Sequence, residues 1–227
     1  MNPRRRTARE LAALGTLSAG FLLLFPHRPI LVDVGLAFCA LGLILLNAGY
    51  TKAAIWDRFP LEVERSRWQR CVASTMILTV PALILFLGLG MYIGYERGGQ
   101  AGIGMRLLHP RIPMAIALYF PWALVQQTLF QFYLLGRLRV LWPSLPPRTH
   151  AALNGLAFGL VHAPDLWIAA MTWLGGTMWS FLYLRYRLLW PLALSHALLG
   201  TTFYYWVYGQ DLMGDWVRVL ARLLRIG

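Results

Sequence analysis

Polar side chains that could do chemistry interrupt three otherwise apolar stretches of the chain. Gln126, Gln127 and Gln131 lie in VQQTLFQFYLLGRL, His162 lies near the end of NGLAFGLVHAP, and His196 lies in WPLALSHALLGTTF. Histidine can act as a general base or bind a metal, whereas a glutamine amide forms hydrogen bonds but does not titrate near neutral pH. Polar groups are costly in apolar surroundings, so these positions are the candidates for function.

Within each stretch, the polar positions have a partner four residues away. Residues at this spacing share one face of a helix and can point together into a helical bundle. The pairs are Gln127 with Gln131, Phe158 with His162, and His196 with Gly200.

Local patterns assign neither a metal site nor a serine nucleophile. HExxH is absent, and Cys39 and Cys71 do not have the spacing of a zinc site or of a disulfide framework. Ser180 and Ser195 lack a GxSxG-type setting. No cofactor is therefore predicted, and a metal held by the two histidines, His162 and His196, stays an open alternative.

The composition indicates a membrane as the surroundings of these residues. Of 227 residues, 58% are hydrophobic and 13% are charged, which excludes an ordinary soluble domain. An apolar helix of about 20 residues crosses a hydrocarbon core of roughly 30 Å. Seven segments approach this length: 7–25, 30–50, 71–95, 112–136, 148–163, 166–184 and 191–208. The sequence predicts an all-α fold, a polytopic transmembrane helical bundle of about 7–8 spans.

The charge of the chain is strongly basic, with 21 Lys and Arg against 9 Asp and Glu. The arginines punctuate apolar segments and form no patch with interleaved aromatics, so the lipid bilayer, and not nucleic acid, is the predicted partner. About twice as many basic residues fall on the side of the N-terminus, which predicts that this terminus is cytoplasmic. Size and arginine usage favour the inner (plasma) membrane of a bacterium.

One membrane domain is predicted, in three parts. Residues 1–111 hold N-terminal helices 1–3 and their connectors, and residues 112–208 hold a core of helices 4–7 with all the polar positions. Residues 209–227 place apolar residues and arginines on different faces of a helix, as expected of an amphipathic tail lying among headgroups.

Glycines spaced by four occur twice, as Gly90 with Gly94 and as Gly155 with Gly159. This spacing lets two helices approach closely. Ordinary membrane-helix composition is the alternative explanation of both pairs.

Carboxylates are scarce in this chain. Asp33 lies within a predicted span, near its end, where a charged side chain can reach the interface. Asp165 precedes LWIAA and is predicted to cap the next helix. Glu10 is assigned, with the remaining acids, to segments outside the membrane. The predicted bundle therefore holds no glutamate.

These motifs, taken in order, resemble those of the CPBP family, the intramembrane proteases that include the CAAX prenyl endopeptidases of the Rce1 type. The resemblance covers roughly residues 112–207 and rests on QQTLFQ followed by LLGRL, then FGLVH, then GGTMWSFLYLRYRLLWPLALSHALL. It implies the helical fold of that family and an endopeptidase ancestry.

The catalytic positions that the resemblance implies are only partly kept. The family has two consecutive glutamates followed four residues later by arginine, and this chain has Gln126, Gln127 and Gln131 at those positions. His196 is retained, but Gly200 replaces the Asn or Asp that follows it in the family. The second motif is intact, with Phe158 followed four residues later by His162. The aromatic residue of the first motif is also kept, as Phe130.

The roles that the family implies follow these positions. A glutamate assisted by histidines activates water in the family, so Gln126, Gln127, His162 and His196 stand at catalytic positions. The remaining motif positions are predicted to contact substrate: Phe130, Gln131, Phe158 and Gly200. The resemblance requires His162 and His196 to converge.

Three hypotheses about function follow. The first is a pseudoprotease that binds a membrane-embedded peptide or lipid-modified chain, or that partners an active paralogue. The second is an active endopeptidase in which His162 or His196 is the base and Gln126 or Gln127 orients water. The third is a small-solute transporter or channel with these groups as a polar path. Against the third, no halves repeat, and helices 4 and 7 lack the paired Gly/Pro breaks expected of discontinuous transporter helices.

Overall fold

The computed structural model describes residues 3–24, 35, 38, 42, 64–163, 165–214, 217–218 and 221. Over these residues the ordered elements are helices, and no strand is present. This confirms the all-α prediction. The predictions for Asp33, Cys39 and most of the C-terminal tail fall outside the described residues.

The described helices follow one another in chain order. They are α1 Pro3–Leu24, α2 Arg65–Leu107, α3 Ile112–Gln127, a first π-helical segment Thr128–Leu134, α4 Leu135–Leu141, α5 Pro147–Leu160, α6 Leu166–Tyr186, α7 Trp190–Thr202 and a second π-helical segment Phe203–Tyr208.

Two of these helices could cross a membrane. Helix α2 and the continuous helix Ile112–Leu141, which runs from α3 through α4, are long and apolar enough by length and composition, within the described part of the chain. The number of spans beyond these two, and the boundaries at residues 111 and 208, stay predictions.

Helix α2 continues beyond residue 95, where the predicted apolar segment ended, and turns back on itself. Non-helical angles at Gly98 and Gly99 interrupt it, and Gly99 has φ of 57°, which glycine adopts without steric cost. The chain after the break lies beside the helix before it. A Cβ added at Gly94 would lie only 2.9 Å from the Cα of Ile103. A glycine-rich run therefore forms a tight helical hairpin.

Helix α6 begins as the sequence predicted. The Oδ1 of Asp165 accepts hydrogen bonds from the backbone amides of Trp167 at 3.1 Å and Ile168 at 3.0 Å. The side chain thereby satisfies two amides that have no partner inside the helix. The prediction of an N-cap at Asp165 is confirmed.

The chain divides into two compact units, and each is described by itself. The first unit comprises residues 1–71 and 125–189, and the second comprises residues 72–124 and 190–227.

The first unit is organised by a close approach of α5 and α6. A Cβ added at Gly155 would lie 2.5 Å from the backbone N of Thr177, and one added at Gly159 would lie 2.7 Å from the carbonyl oxygen of Ala169. Such distances leave no room for any side chain at either glycine. The prediction that this glycine pair permits helix contact is confirmed, and the same holds for Gly90, whose added Cβ would lie 2.9 Å from Trp206 Cβ in the second unit.

Asp211 makes several polar contacts near one end of the second unit. Asp211 accepts hydrogen bonds from the Tyr205 hydroxyl at 2.6 Å and the Gly214 amide at 3.0 Å, and it forms an ion pair with Arg111. Burial alone would raise the pKa of Asp211, but these three donors outweigh burial and hold that pKa below its usual value. Asp211 therefore has a structural role in holding this end of the unit.

Candidate functional site

The three glutamines lie where α3 changes into the first π-helical segment. Gln126 and Gln127 are the last residues of α3, and Gln131 lies within Thr128–Leu134. The side chains of Gln127 and Gln131 are each 1% exposed. A π-helix is rare and often occurs at functional sites, because its wider turn redirects side chains.

Gln131 belongs to a buried network of neutral groups. The Nδ2 of Asn154, on α5, donates to the Oε1 of Gln131 at 3.1 Å and to the Oγ of Ser180 at 2.8 Å. Ser180 in turn donates to the carbonyl oxygen of Gly176 at 2.5 Å. Three helical elements of the first unit are thus joined by amides and a hydroxyl, with no charged group among these members.

Three side-chain atoms, one each on Gln126, Gln131 and Asn154, are buried and have no hydrogen-bond partner among the described residues. They are the Oε1 of Gln126, the Nε2 of Gln131 and the Oδ1 of Asn154. Such atoms in a native structure call for an explanation, because each loses its hydrogen bonds to water on burial. The set offers two acceptors and one donor.

The aromatic positions of the motifs form a series of tilted and edge-on ring contacts that includes His162. The ring centroids of Phe130 and Phe158 are 4.6 Å apart, and those of Phe158 and His162 are 5.1 Å apart. The Nδ1 of His162 lies 2.8 Å from the carbonyl oxygen of Phe158. A carbonyl oxygen only accepts, so Nδ1 carries a hydrogen, and in the uncharged form of the ring Nε2 carries the lone pair.

The third motif lies in the second unit, on α7. His196 is 3% exposed, and its ring meets that of Tyr119 edge-on, with centroids 5.7 Å apart. Tyr119 also fills the space beside Gly200, because a Cβ added there would lie 2.8 Å from Tyr119 Cε1. Ser195, next to His196, shares a 2.7 Å hydrogen bond with Thr79.

The comparisons with known proteins agree with this arrangement of motifs. Residues 108–202 match the family described as type II CAAX prenyl endopeptidase Rce1-like. This segment is similar to the domain of that family, and we call it the Rce1-like domain. It spans less than half of the chain, and it confirms the resemblance drawn from the motifs. No curated protein and no solved structure matches the chain.

The Rce1-like domain brings together only some of the predicted site residues within one unit. The first unit holds Gln126, Gln127, Phe130, Gln131, Phe158 and His162, and the second holds His196 and Gly200. The convergence of the two histidines stays a prediction. Within the described ranges, no group of three or more His, Cys, Asp or Glu side chains is placed to hold a metal.

Asp165 is the single carboxylate in the Rce1-like domain, residues 108–202. Its Oδ1 already accepts two backbone amides at the start of α6. A general base must reach the water that it activates, and a capping carboxylate is committed to its helix. The domain therefore has no acid where the resemblance implies glutamates, and its one acid caps α6.

Sequence reasoning missed the role of Glu10. This carboxylate, on α1, accepts hydrogen bonds from the Tyr133 hydroxyl and from Arg137 Nη2 at 3.0 Å. Tyr133 lies two residues after Gln131, which places it on roughly the opposite side of the helix. Glu10 thus links α1 to the side of the segment Thr128–Leu134 that faces away from Gln131. It does not replace a catalytic glutamate.

Glu10→Gln is expected to lower the free energy of unfolding by about 1.5–3 kcal/mol, the range of hydrogen bonds to charged groups. The reason is that the Arg137 side chain, only 10% exposed, loses its carboxylate. Thermal unfolding in detergent, followed by circular dichroism, measures the change. Glu96→Gln, at an exposed position of α2, is the matched control and should differ from the wild type by less than about 0.5 kcal/mol. Equal effects of the two variants would remove the structural role of Glu10.

Proposed function

We propose that this chain is a membrane-embedded pseudoprotease, an Rce1-like homologue that binds a membrane peptide or lipid-modified chain without cleaving it, or that partners an active paralogue. The observation that carries the proposal is the neutral site in the first unit. Gln126 and Gln127 occupy the positions that correspond to the family's two glutamates. Gln131 occupies the position that corresponds to its arginine, and it is hydrogen-bonded to Asn154.

Loss of the acids removes the chemistry of water activation. Glutamine cannot accept a proton from water, and general-base catalysis contributes about 10²- to 10⁴-fold to rate. Gly200 also lacks the amide that the resemblance implies for oxyanion stabilisation, a loss of roughly another 10²-fold. Their product leaves hydrolysis too slow for a proteolytic role.

The carboxylates of the first unit that the structure describes interact with partners other than the glutamines. Glu10 pairs with Arg137, and Asp165 caps α6. Glu64 accepts a hydrogen bond from Ser66, at the start of α2. These engagements support a site that has become neutral as a whole, since a buried arginine without acidic partners would be strongly destabilising.

A peptide group is the ligand that the buried neutral atoms suit best. The unpaired Oε1 of Gln126 and Oδ1 of Asn154 are acceptors, and the Nε2 of Gln131 is a donor. A peptide offers an N–H and a C=O, both of which require partners in an apolar environment. Binding without hydrolysis is therefore the activity that these side chains support.

The setting of this function is proposed with it. The two apolar helices and the Rce1-like domain support a polytopic membrane protein, for which we propose 7–8 spans. The excess of basic residues on one side supports a cytoplasmic N-terminus in a bacterial inner membrane. The lipid bilayer is then the surrounding partner, and nucleic acid is not.

The test uses the full chain in proteoliposomes with a farnesylated CAAX peptide and a transmembrane peptide, each carrying a photo-crosslinker. We expect crosslinks to at least one peptide and no cleavage product above protein-free liposomes by mass spectrometry. Gln126→Leu should weaken crosslinking about tenfold, because a hydrogen bond to the peptide is lost. The control Gln100→Leu, at an exposed position of α2, should leave crosslinking unchanged. Cleavage by the wild type, or crosslinking unchanged in Gln126→Leu, would contradict the proposal.

An active endopeptidase is the second candidate, favoured by one observation. The hydrogen bond from Nδ1 of His162 to Phe158 directs the lone pair of Nε2 away from the helix backbone, as a base requires. On this alternative, His162→Ala abolishes cleavage of the same peptides. If the wild type cleaves none of them, the alternative is rejected.

A further inference from the structure

A second polar feature of the first unit lies apart from the glutamines. It is a cavity of about 650 Å³ where the end of α4, the start of α5 and the end of α6 meet. Arg139, His150, Arg185 and Arg187 line it together with apolar side chains. We call it the arginine cavity.

The arginine cavity has a large excess of positive charge. Three guanidinium groups line it, and no Asp or Glu is among its lining residues in the part of the chain that the structure describes. Helices α4 and α6 end here and α5 begins here, and a helix terminus contributes about half a charge, negative at the C-terminus and positive at the N-terminus. The three termini together offset about half of one positive charge, so the cavity remains suited to an anion.

The backbone of Arg187 strengthens this inference. Arg187 follows the last residue of α6 and is left-handed, with φ of 57° and ψ of 32°. Glycine is the usual residue at this position because other side chains adopt the conformation at a cost. The Arg187 guanidinium lies 5.6 Å from the centroid of the Tyr183 ring, which holds the charge beside the cavity.

His150 shapes the arginine cavity and does not bind the anion. Its Nε2 lies 3.0 Å from the carbonyl oxygen of Trp142, and its Nδ1 lies 3.3 Å from that of Pro146. Both ring nitrogens thus face the backbone of the turn between α4 and α5. The three arginines are the charged side chains that line the cavity.

The apolar part of the wall and the position of the cavity indicate a lipid. Val140, Leu145, Phe181 and Leu184 line the cavity beside the arginines. The cavity adjoins the end of the 30-residue apolar helix Ile112–Leu141. At 1.5 Å per residue this helix is about 45 Å long, the thickness of a bilayer with its headgroups. Its end therefore suits the depth of a lipid phosphate.

We propose that the arginine cavity binds the phosphate of an anionic membrane lipid. Arg139, Arg185 and Arg187 contact the phosphate oxygens, and Phe181 and Leu184 lie against the glycerol and the first acyl carbons. The site is independent of whether the Rce1-like domain cleaves peptides.

The experiment measures binding to the full chain in uncharged detergent by native mass spectrometry. Dioctanoyl phosphatidylglycerol, dioctanoyl phosphatidylcholine and inorganic phosphate are titrated separately. We expect saturable binding of phosphatidylglycerol and at least tenfold weaker binding of the other two. Equal binding of phosphatidylcholine would overturn a charge-selective site, and equal binding of inorganic phosphate would overturn the assignment to a lipid.

Arg187→Gly is the decisive variant, because glycine suits the left-handed backbone and the fold should be kept. We expect it to weaken phosphatidylglycerol binding about tenfold, as does Arg139→Gln. Arg148→Gln removes the same charge from an exposed position of α5 that does not line the cavity, and it should bind within twofold of the wild type. Equal losses of phosphatidylglycerol binding in all three variants would mean that the overall positive charge of the protein attracts the lipid. That result would overturn the site.

Discussion

Gln131→Arg, which introduces the residue that the resemblance implies for this position, is expected to lower the free energy of unfolding by about 3–5 kcal/mol. Gln131 is 1% exposed and accepts a hydrogen bond from the amide of Asn154. A guanidinium there could neither accept that bond nor find a carboxylate among the acids of this unit that the structure describes. Chemical denaturation in detergent, followed by tryptophan fluorescence, measures the loss.

Two controls separate charge from packing. Gln100→Arg makes the same exchange at an exposed position of α2 and should change stability by less than about 0.5 kcal/mol. Gln131→Leu removes one hydrogen bond without adding charge and should cost about 1 kcal/mol. Adding Gln127→Glu to Gln131→Arg supplies an acid four residues away and should recover part of the loss. A Gln131→Arg protein as stable as the wild type would show that the site still accommodates charge, against the proposed neutral network.

Gly155→Val is expected to cost about 3 kcal/mol, because overpacking at a helix contact forces the backbones apart. The added Cβ would lie 2.5 Å from the N of Thr177 and 2.7 Å from the carbonyl oxygen of Trp173, and neither backbone atom can move without α6. The same shift would disturb Asn154, the neighbour of Gly155 on α5. Thermal unfolding and peptide crosslinking should therefore both decline.

Gly88→Val is the matched control for this packing. Gly88 lies on α2, and a Cβ added there meets nothing within 4 Å. A valine at that position should be tolerated within about 0.5 kcal/mol. If the two valine variants unfold alike, the close approach at Gly155 does not hold α5 and α6 together.

Regular features with a local cause could be predicted from the sequence. The apolar runs predicted helices, and the described helices begin and end within a few residues of most of them. The cap at Asp165 and the helix contact at Gly155 follow from side-chain type and spacing alone, and both are present. The family was predicted from motifs that need no structure.

Features that depend on distant contacts could not be predicted. A π-helical turn has no distinct sequence pattern, so neither Thr128–Leu134 nor Phe203–Tyr208 was expected. The partnership of Glu10 with Arg137 joins residues 127 positions apart. The predicted segment 71–95 ended before Gly98 and Gly99, whereas the folded chain uses these two glycines for a hairpin inside a longer helix.

The ring of Tyr119 beside Gly200 couples the side chains that these two positions can carry. A Cβ added at position 200 would lie 2.8 Å from that ring, and a shorter side chain at position 119 alone would leave a void against His196. Each single exchange is therefore expected to lower stability. A larger side chain at position 200 requires a smaller one at position 119 in the same protein.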